Sequence, residues 1–180
     1  MRRRILFVSV RLLSCLLVLT ACEEEAMNAS YDEDEIRELA YRALYQDLRI
    51  DTLDCTAMGV TIGDSLDDGL FWPVVTRSHP DAFLARLDDL PIRILHMHDL
   101  VDTTDAYGWG QGWRTTDTRE LASACFTHTI QRIDATHLVI VCGMFFRNYR
   151  KAYAAFHIRY EDGDWVPASL QYYYKRMEGW

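Results

Sequence analysis

The 180-residue chain has no Cys-x-x-Cys pair, so neither a thioredoxin-like redox motif nor a zinc knuckle is spelled out. It has no phosphate-binding glycine loop ending in lysine, which removes the commonest nucleotide signature. Basic charge is scarce: 19 lysines and arginines stand against 27 acids, for a net charge of −8. A surface of that sign repels nucleic acid and anionic headgroups, so no nucleic-acid partner is expected. No internal repeat and no low-complexity tract breaks the chain. The longest apolar run, from Ile5 to Ala21, is short of the roughly 20 residues a spanning helix needs, and Arg11 interrupts it.

The first 22 residues hold Arg2, Arg3, Arg4 and Arg11 and no acid, with the apolar residues densest from Leu12 to Leu19. Basic, then apolar, then small is the order of an export signal. Its end, Leu19-Thr20-Ala21-Cys22, resembles the lipobox of bacterial lipoprotein precursors at all four positions. The resemblance implies that Cys22 is the lipid attachment site: its thiol takes diacylglycerol, a peptidase cuts before it, and the new amino group is acylated. Two or three acyl chains anchor stably where one holds only reversibly. Localisation would then be a lipid anchor on a bacterial membrane, facing the periplasm or the exterior.

Loss of residues 1–21 removes four arginines and leaves 159 residues with 15 basic groups against 27 acids, a net charge of −12. That length suits one domain. Seven acids fall between Glu23 and Glu35 with almost no aliphatic residue, which reads as a solvated tether. The expected organisation is therefore a signal over 1–21, a lipidated acidic tether over 22–31 and a single domain over 32–180.

Within the domain, Ser30 and Glu33 have capping-box spacing, and Ile36, Leu39, Ala40, Ala43, Leu44 and Leu48 share a helical face. A helix is predicted near 32–49 and a second, short one from Pro80 to about Leu87. Strand character marks 54–62, 92–98, 125–133, 137–146, 152–160 and 165–174. Asp162-Gly163 predicts a tight hairpin, and Asp134-Ala135 a weaker turn. Residues 138–146, LVIVCGMFF, are apolar on both faces and belong in the middle of a sheet. Pro167 puts the last strand at an edge or delays its start. The expectation is an α+β fold: a long N-terminal helix packed across a mostly antiparallel sheet of about five strands, plus the short helix. The C-terminal part, Cys142-Gly143 through Asp162-Gly163-Asp164-Trp165, loosely resembles small exported bacterial domains of unknown function.

Four stretches invite chemistry. Gly63-Asp64-Ser65-Leu66 resembles the opening motif of the GDSL esterases and lipases, which implies a Ser65 nucleophile. The Asp-x-x-His spacing of that family is matched by Asp134 and His137, which would orient and act as the base. The family's Gly-x-Asn-Asp block is absent: the only asparagines are Asn28 and Asn148. Without that oxyanion donor, about 3 to 4 kcal/mol of transition-state stabilisation is missing. Ser65 and His137 also lie too close in sequence for the family's repeated strand-helix units.

His96 and His98, two apart on a predicted strand, would share a face and offer two metal ligands, or simply sit on a solvated face. Tyr107 to Arg114, YGWGQGWR, can stack on a glycan or peptide if exposed, or cover the sheet edge if folded inward. Tyr172, Tyr173, Tyr174 and Trp180 add a further aromatic group that strand propensity explains. With Cys22 lipidated, Cys55, Cys125 and Cys142 remain. Cys125 and Cys142 flank the predicted turn and are the nearest pair for a disulfide in an oxidising compartment. No cofactor is implied. The reading that combines these observations is a membrane-anchored, non-catalytic binding or scaffolding domain with an envelope protein or glycan partner; the alternative is an ester hydrolase using Ser65, His137 and Asp134.

Overall fold

A computed structural model describes residues 30–50, 55–63, 76–103, 112–147 and 150–176. The lipobox, most of the tether, Asp64, Ser65, Leu66, Tyr107 to Gln111 and Trp180 lie outside these residues.

Helix α1 spans Glu33–Asp47. Its first turn carries Glu33, Asp34 and Glu35, whose charge suits the positive end of the helix dipole. The N-cap is Asp32, whose Oδ1 accepts from the Asp34 amide at 2.9 Å. The capping box expected at Ser30 is therefore not the device used. The Ser30 carbonyl instead accepts from Trp165 Nε1 at 3.2 Å, pinning the start of the domain to the far end of the chain. Ile36, Arg37, Ala40, Tyr41, Leu44 and Tyr45 are buried, so the inward stripe includes a cation and two phenols.

The strands are β1 (Ala57–Gly63), β2 (Thr76–Arg77), β3 (Arg93–His96), β4 (Leu100–Asp102), β5 (Trp113–Thr115), β6 (Ala122–Asp134), β7 (His137–Arg147), β8 (Arg150–Glu161) and β9 (Asp164–Arg176). Seven of them form one sheet in the order β2-β1-β6-β7-β8-β9, with β3 also on β1. β1 runs parallel to both β3 and β6, whereas β6 to β9 form an antiparallel meander. β4 and β5 make a separate antiparallel pair. Helix α2 is a single turn, Asp81–Leu84, continued by a 3-10 turn at Ala85–Leu87.

The expected α+β architecture, a long helix across a five-stranded antiparallel sheet, is corrected by this arrangement. The described residues are mostly β, 56% strand against 22% helical, with two α-helices among them and a mixed seven-stranded sheet. The shortfall was in strand length and in non-local pairing. β6 and β9 each run 13 residues, and β1 joins β6 in parallel across a long connection that carries no turn signature.

The hairpin turns follow the local chemistry. Asp162 (φ 52°) and Gly163 (φ 97°) both take positive φ, as a type I′ turn requires. β9 is an edge strand, where the missing N–H of Pro167 costs no ladder bond, and the register shifts beside it. β7 lies between β6 and β8 and sends Leu138, Ile140, Cys142, Met144 and Phe146 into the main core with Ile36, Ala40, Tyr41 and Leu44 of α1. Ala57, Leu100, Ala122 and Ala124 form a second, smaller cluster. Alternation along β1 assigns Met58 and Val60 to the first cluster and Ala57 to the second.

Candidate functional site

The densest group of buried polar side chains lies where α1 meets β1, β6 and the segment before α2. Arg37, Tyr41, Thr61, His79, Thr127 and His128 are all buried. Arg37 and Tyr41 are four apart, so one helix face delivers both to the sheet. Arg37 Nη1 donates to the His128 carbonyl at 2.6 Å and to Thr127 Oγ1 at 3.0 Å, and Nη2 donates to Glu33 Oε2 at 3.2 Å. The buried cation is thus neutralised by one carboxylate at its outer end and solvated by fixed oxygens within.

Tyr41 donates its single hydroxyl hydrogen to the Thr61 carbonyl at 2.6 Å. Its oxygen therefore accepts from His79 Nε2–H at 3.0 Å, which fixes the histidine tautomer, and it also faces Thr127 Oγ1 at 3.3 Å. The His79 ring stacks on Phe83, with centroids 3.9 Å apart. Its Nδ1 carries a lone pair, is buried, and has no hydrogen-bond partner among the described residues. Burial, followed by the Arg37 cation and His96, pushes His79 down to about 3. Burial also raises the Tyr41 phenol well above its ordinary range. At neutral pH both groups are uncharged: the site offers a hydrogen-bond acceptor and is a poor proton carrier.

None of Arg37, Tyr41, Thr61, His79 and Thr127 belongs to a recognisable motif in the sequence. The available signal was weak: an arginine and a tyrosine four apart within the apolar stripe of α1, and threonines at inward positions of two strands.

The residues that were singled out go elsewhere. β3 ends at His96, and Met97–Asp99 is a 3-10 turn, so His96 and His98 do not share a strand face. Their rings stack, with centroids 4.9 Å apart and planes 11° from parallel. Stacked imidazoles aim their lone pairs within parallel planes and do not converge on one ion. His96 Nε2 lies 2.8 Å from Asp81 Oδ1, and His98 Nε2 lies 3.8 Å from Asp99. Among the described residues no three His, Cys, Asp or Glu side chains are placed to hold a metal.

Asp134 and His137 face each other across the β6–β7 turn, but their polar atoms have other partners. Asp134 Oδ1 accepts from the Thr136 amide at 2.8 Å and from its hydroxyl at 3.2 Å, which caps the turn. Its Oδ2 is 4.0 Å from Arg159. His137 Nε2 is 2.9 Å from His157 Nδ1. Ser65 lies outside the described residues.

Cys55, Cys125 and Cys142 are free thiols, so the suggested Cys125–Cys142 bridge is not formed. Cys125 is opposite Met144 and Cys142 is opposite Thr127, which makes the two cysteines diagonal neighbours. Diagonal positions in an antiparallel pair are about 7–8 Å apart, beyond the usual disulfide window.

Of the aromatic stretch, Trp113 packs on the smaller cluster. Tyr172 donates to Asp47, Tyr174 lies beside Tyr153 and the Lys151 ammonium, and Tyr173 is 68% exposed. No helix among the described residues is long and apolar enough to cross a membrane. Comparison with family models, with curated proteins and with solved structures finds no match for this chain.

Proposed function

We propose that this chain is a lipid-anchored protein of the bacterial cell envelope whose folded domain binds or scaffolds without catalysis. The observation that carries the anchoring is Leu19-Thr20-Ala21-Cys22 at the end of a basic, apolar leader, followed at once by an acidic tether. Lipid on Cys22 joins the domain to the membrane, and an envelope protein or glycan within the tether's reach is the partner class. The non-catalytic half of the reading is supported by the Arg37–Tyr41–His79 cluster. His79 stays neutral far below physiological pH, so it holds its Nε2 hydrogen on Tyr41 and does not shuttle a proton.

The hydrolase alternative has less support. His137 is engaged by His157 and the Asp134 carboxylate caps its own turn, so the two are not hydrogen-bonded to each other as a triad's base and orienting acid would be. Mass spectrometry of the mature N-terminus after expression in a bacterial host tests the anchor: a diacylglyceryl-modified Cys22 is expected. An unmodified Cys22, or a Cys22→Ala variant that stays membrane-bound after detergent-free washing, would overturn it. Short acyl esters test the domain: turnover that disappears in Ser65→Ala would replace binding by hydrolysis.

A further inference from the structure

Two further histidines lie toward the end of the sheet where Trp165 meets the Ser30 carbonyl, since His137 is opposite Arg159 and the next residue of β8, Tyr160, is opposite Trp165. His137 opens β7, and His157 lies on the neighbouring β8, one diagonal step away, since His137 is opposite Arg159 and Val139 is opposite His157. His137 Nε2 and His157 Nδ1 are 2.9 Å apart, whereas the ring centroids are 5.1 Å apart. The difference is what two ring radii add, so the contact runs along the line joining the ring centres. The rings meet edge to edge, with one nitrogen's lone pair aimed at the other's hydrogen.

Such a bond needs one hydrogen between two nitrogens. With both rings neutral it is satisfied, and with one added proton it is still satisfied, because an imidazolium donates to a neutral imidazole. A second added proton places a hydrogen on both facing nitrogens. The bond is then lost, and two cations are left one hydrogen-bond length apart.

The surroundings do not compensate for that charge. Arg159 of β8 is directly opposite His137 and adds a third positive group. The only acid facing the pair from β6 is Asp134, whose carboxylate is already committed to Thr136 and Arg159. From β7 and β9 the residues opposite His157 are Val139 and Ser169, neither of them charged. His157 Nε2 is buried without a hydrogen-bond partner among the described residues, so an imidazolium there has no acceptor for its second N–H. Burial, then Arg159 and then His157 already lower the His137 pKa, with Asp134 opposing.

We propose that the His137–His157 hydrogen bond is an acid-sensitive latch between β7 and β8: closed near neutral pH, and opened when acid places a hydrogen on both facing nitrogens. The sign follows from His137. A histidine whose folded-state pKa is lowered stabilises the native arrangement fully above its unfolded value, and that stabilisation is lost as pH falls. A latch of this kind senses the medium wherever the domain faces an unbuffered compartment. It stands on the contact between the two rings and on the groups around them, and does not depend on the lipid anchor.

Imidazole nitrogen NMR on the full chain from pH 8 to 4.5, with backbone amide exchange over 138–140 and 156–158, tests this. At pH 7.5 a hydrogen should be found on only one of the two facing nitrogens. On acidification they should titrate as a coupled pair, and exchange at those amides should rise at least tenfold relative to amides in β1. Either His157→Gln or His137→Asn should flatten that local rise; if one fails to fold, the other serves. Independent one-step titrations, amide protection at 138–140 that stays flat through the titration, or an unchanged acid response in a folded variant would each overturn the latch.

Discussion

The Phe126 ring lies across Gly143 on the neighbouring strand, so closely that a Cβ built at position 143 would stand 2.5 Å from Phe126 Cζ and 2.9 Å from the Ala152 carbonyl oxygen. The glycine is there to admit the ring: β6 and β7 are paired directly at these two residues, and the phenyl occupies the space of the absent side chain.

Gly143→Ala should therefore destabilise the protein by about 1 to 3 kcal/mol, the usual range for overpacking a core. Urea unfolding at neutral pH reads the loss. Combining it with Phe126→Leu should recover part of the loss, because the ring can be removed while the Ala152 carbonyl cannot. Strict additivity of the two single losses would show that the ring is not what the methyl meets.

Tyr41 holds the polar cluster together by giving its hydrogen to Thr61 and accepting from His79. Tyr41→Phe leaves the His79 Nε2–H without its acceptor in a buried place and takes one bond from the Thr61 carbonyl. The expected loss is about 2 to 4 kcal/mol, since each orphaned buried polar group costs about 1 to 3 kcal/mol. A loss below about 0.5 kcal/mol by urea unfolding would show that the hydroxyl is dispensable.

These two sites mark how far the sequence could be read. Asp162-Gly163, the two-faced apolar run 138–146 and Pro167 announced the β8–β9 turn, a strand flanked on both sides and an edge strand, because each is a local demand of backbone or solvent. The parallel pairing of β1 with β6 was not legible: it joins residues more than 60 positions apart and needs no special residue at either. His79 was illegible for the same reason, since its partner Tyr41 lies 38 residues away on a helix whose spacing reads as plain core. His96 and His98 misled because alternate spacing implies one face only while the strand continues, and β3 stops between them.

Acid should weaken the whole fold through His79. In the unfolded chain this imidazole takes a proton near its ordinary value of 6.5, but in the native cluster not until about 3. The unfolded state then binds more protons throughout that window. Stability is complete above pH 6.5 and falls as pH drops toward 3, by up to about 1.4 kcal/mol per pH unit from this group. His79→Gln keeps a donor for Tyr41 and cannot titrate, so its urea midpoints should fall less steeply between pH 6.5 and 4. Parallel slopes for the variant and the parent would remove His79 as the cause.

Cys125 and Cys142 should resist chemistry that a disulfide-forming pair would show. Both are fully buried, and burial pushes both thiols well above the ordinary range, so almost no thiolate is present at neutral pH. Native protein treated with a maleimide should stay unlabelled at these two positions and become labelled in denaturant without a reductant. Labelling that requires prior reduction would mean that they are bridged.

Arg42 ties α1 to the segment after α2 with a fork rather than a single charge. Its Nη1 and Nη2 donate to the two Asp89 oxygens at 3.0 and 2.7 Å, Nη2 also reaches the Arg86 carbonyl at 2.7 Å, and Nε donates to Glu38 at 2.9 Å. A lysine offers one ammonium at the end of a flexible stem and cannot keep all four contacts. Arg42→Lys should cost about 0.5 to 1 kcal/mol, limited by the solvent around Asp89, and the cost should shrink in high salt as the ion pair is screened. Urea unfolding at low and at molar salt separates the parts. A cost that does not change with salt would assign the effect to the lost Arg86 carbonyl bond and not to the charge pairing.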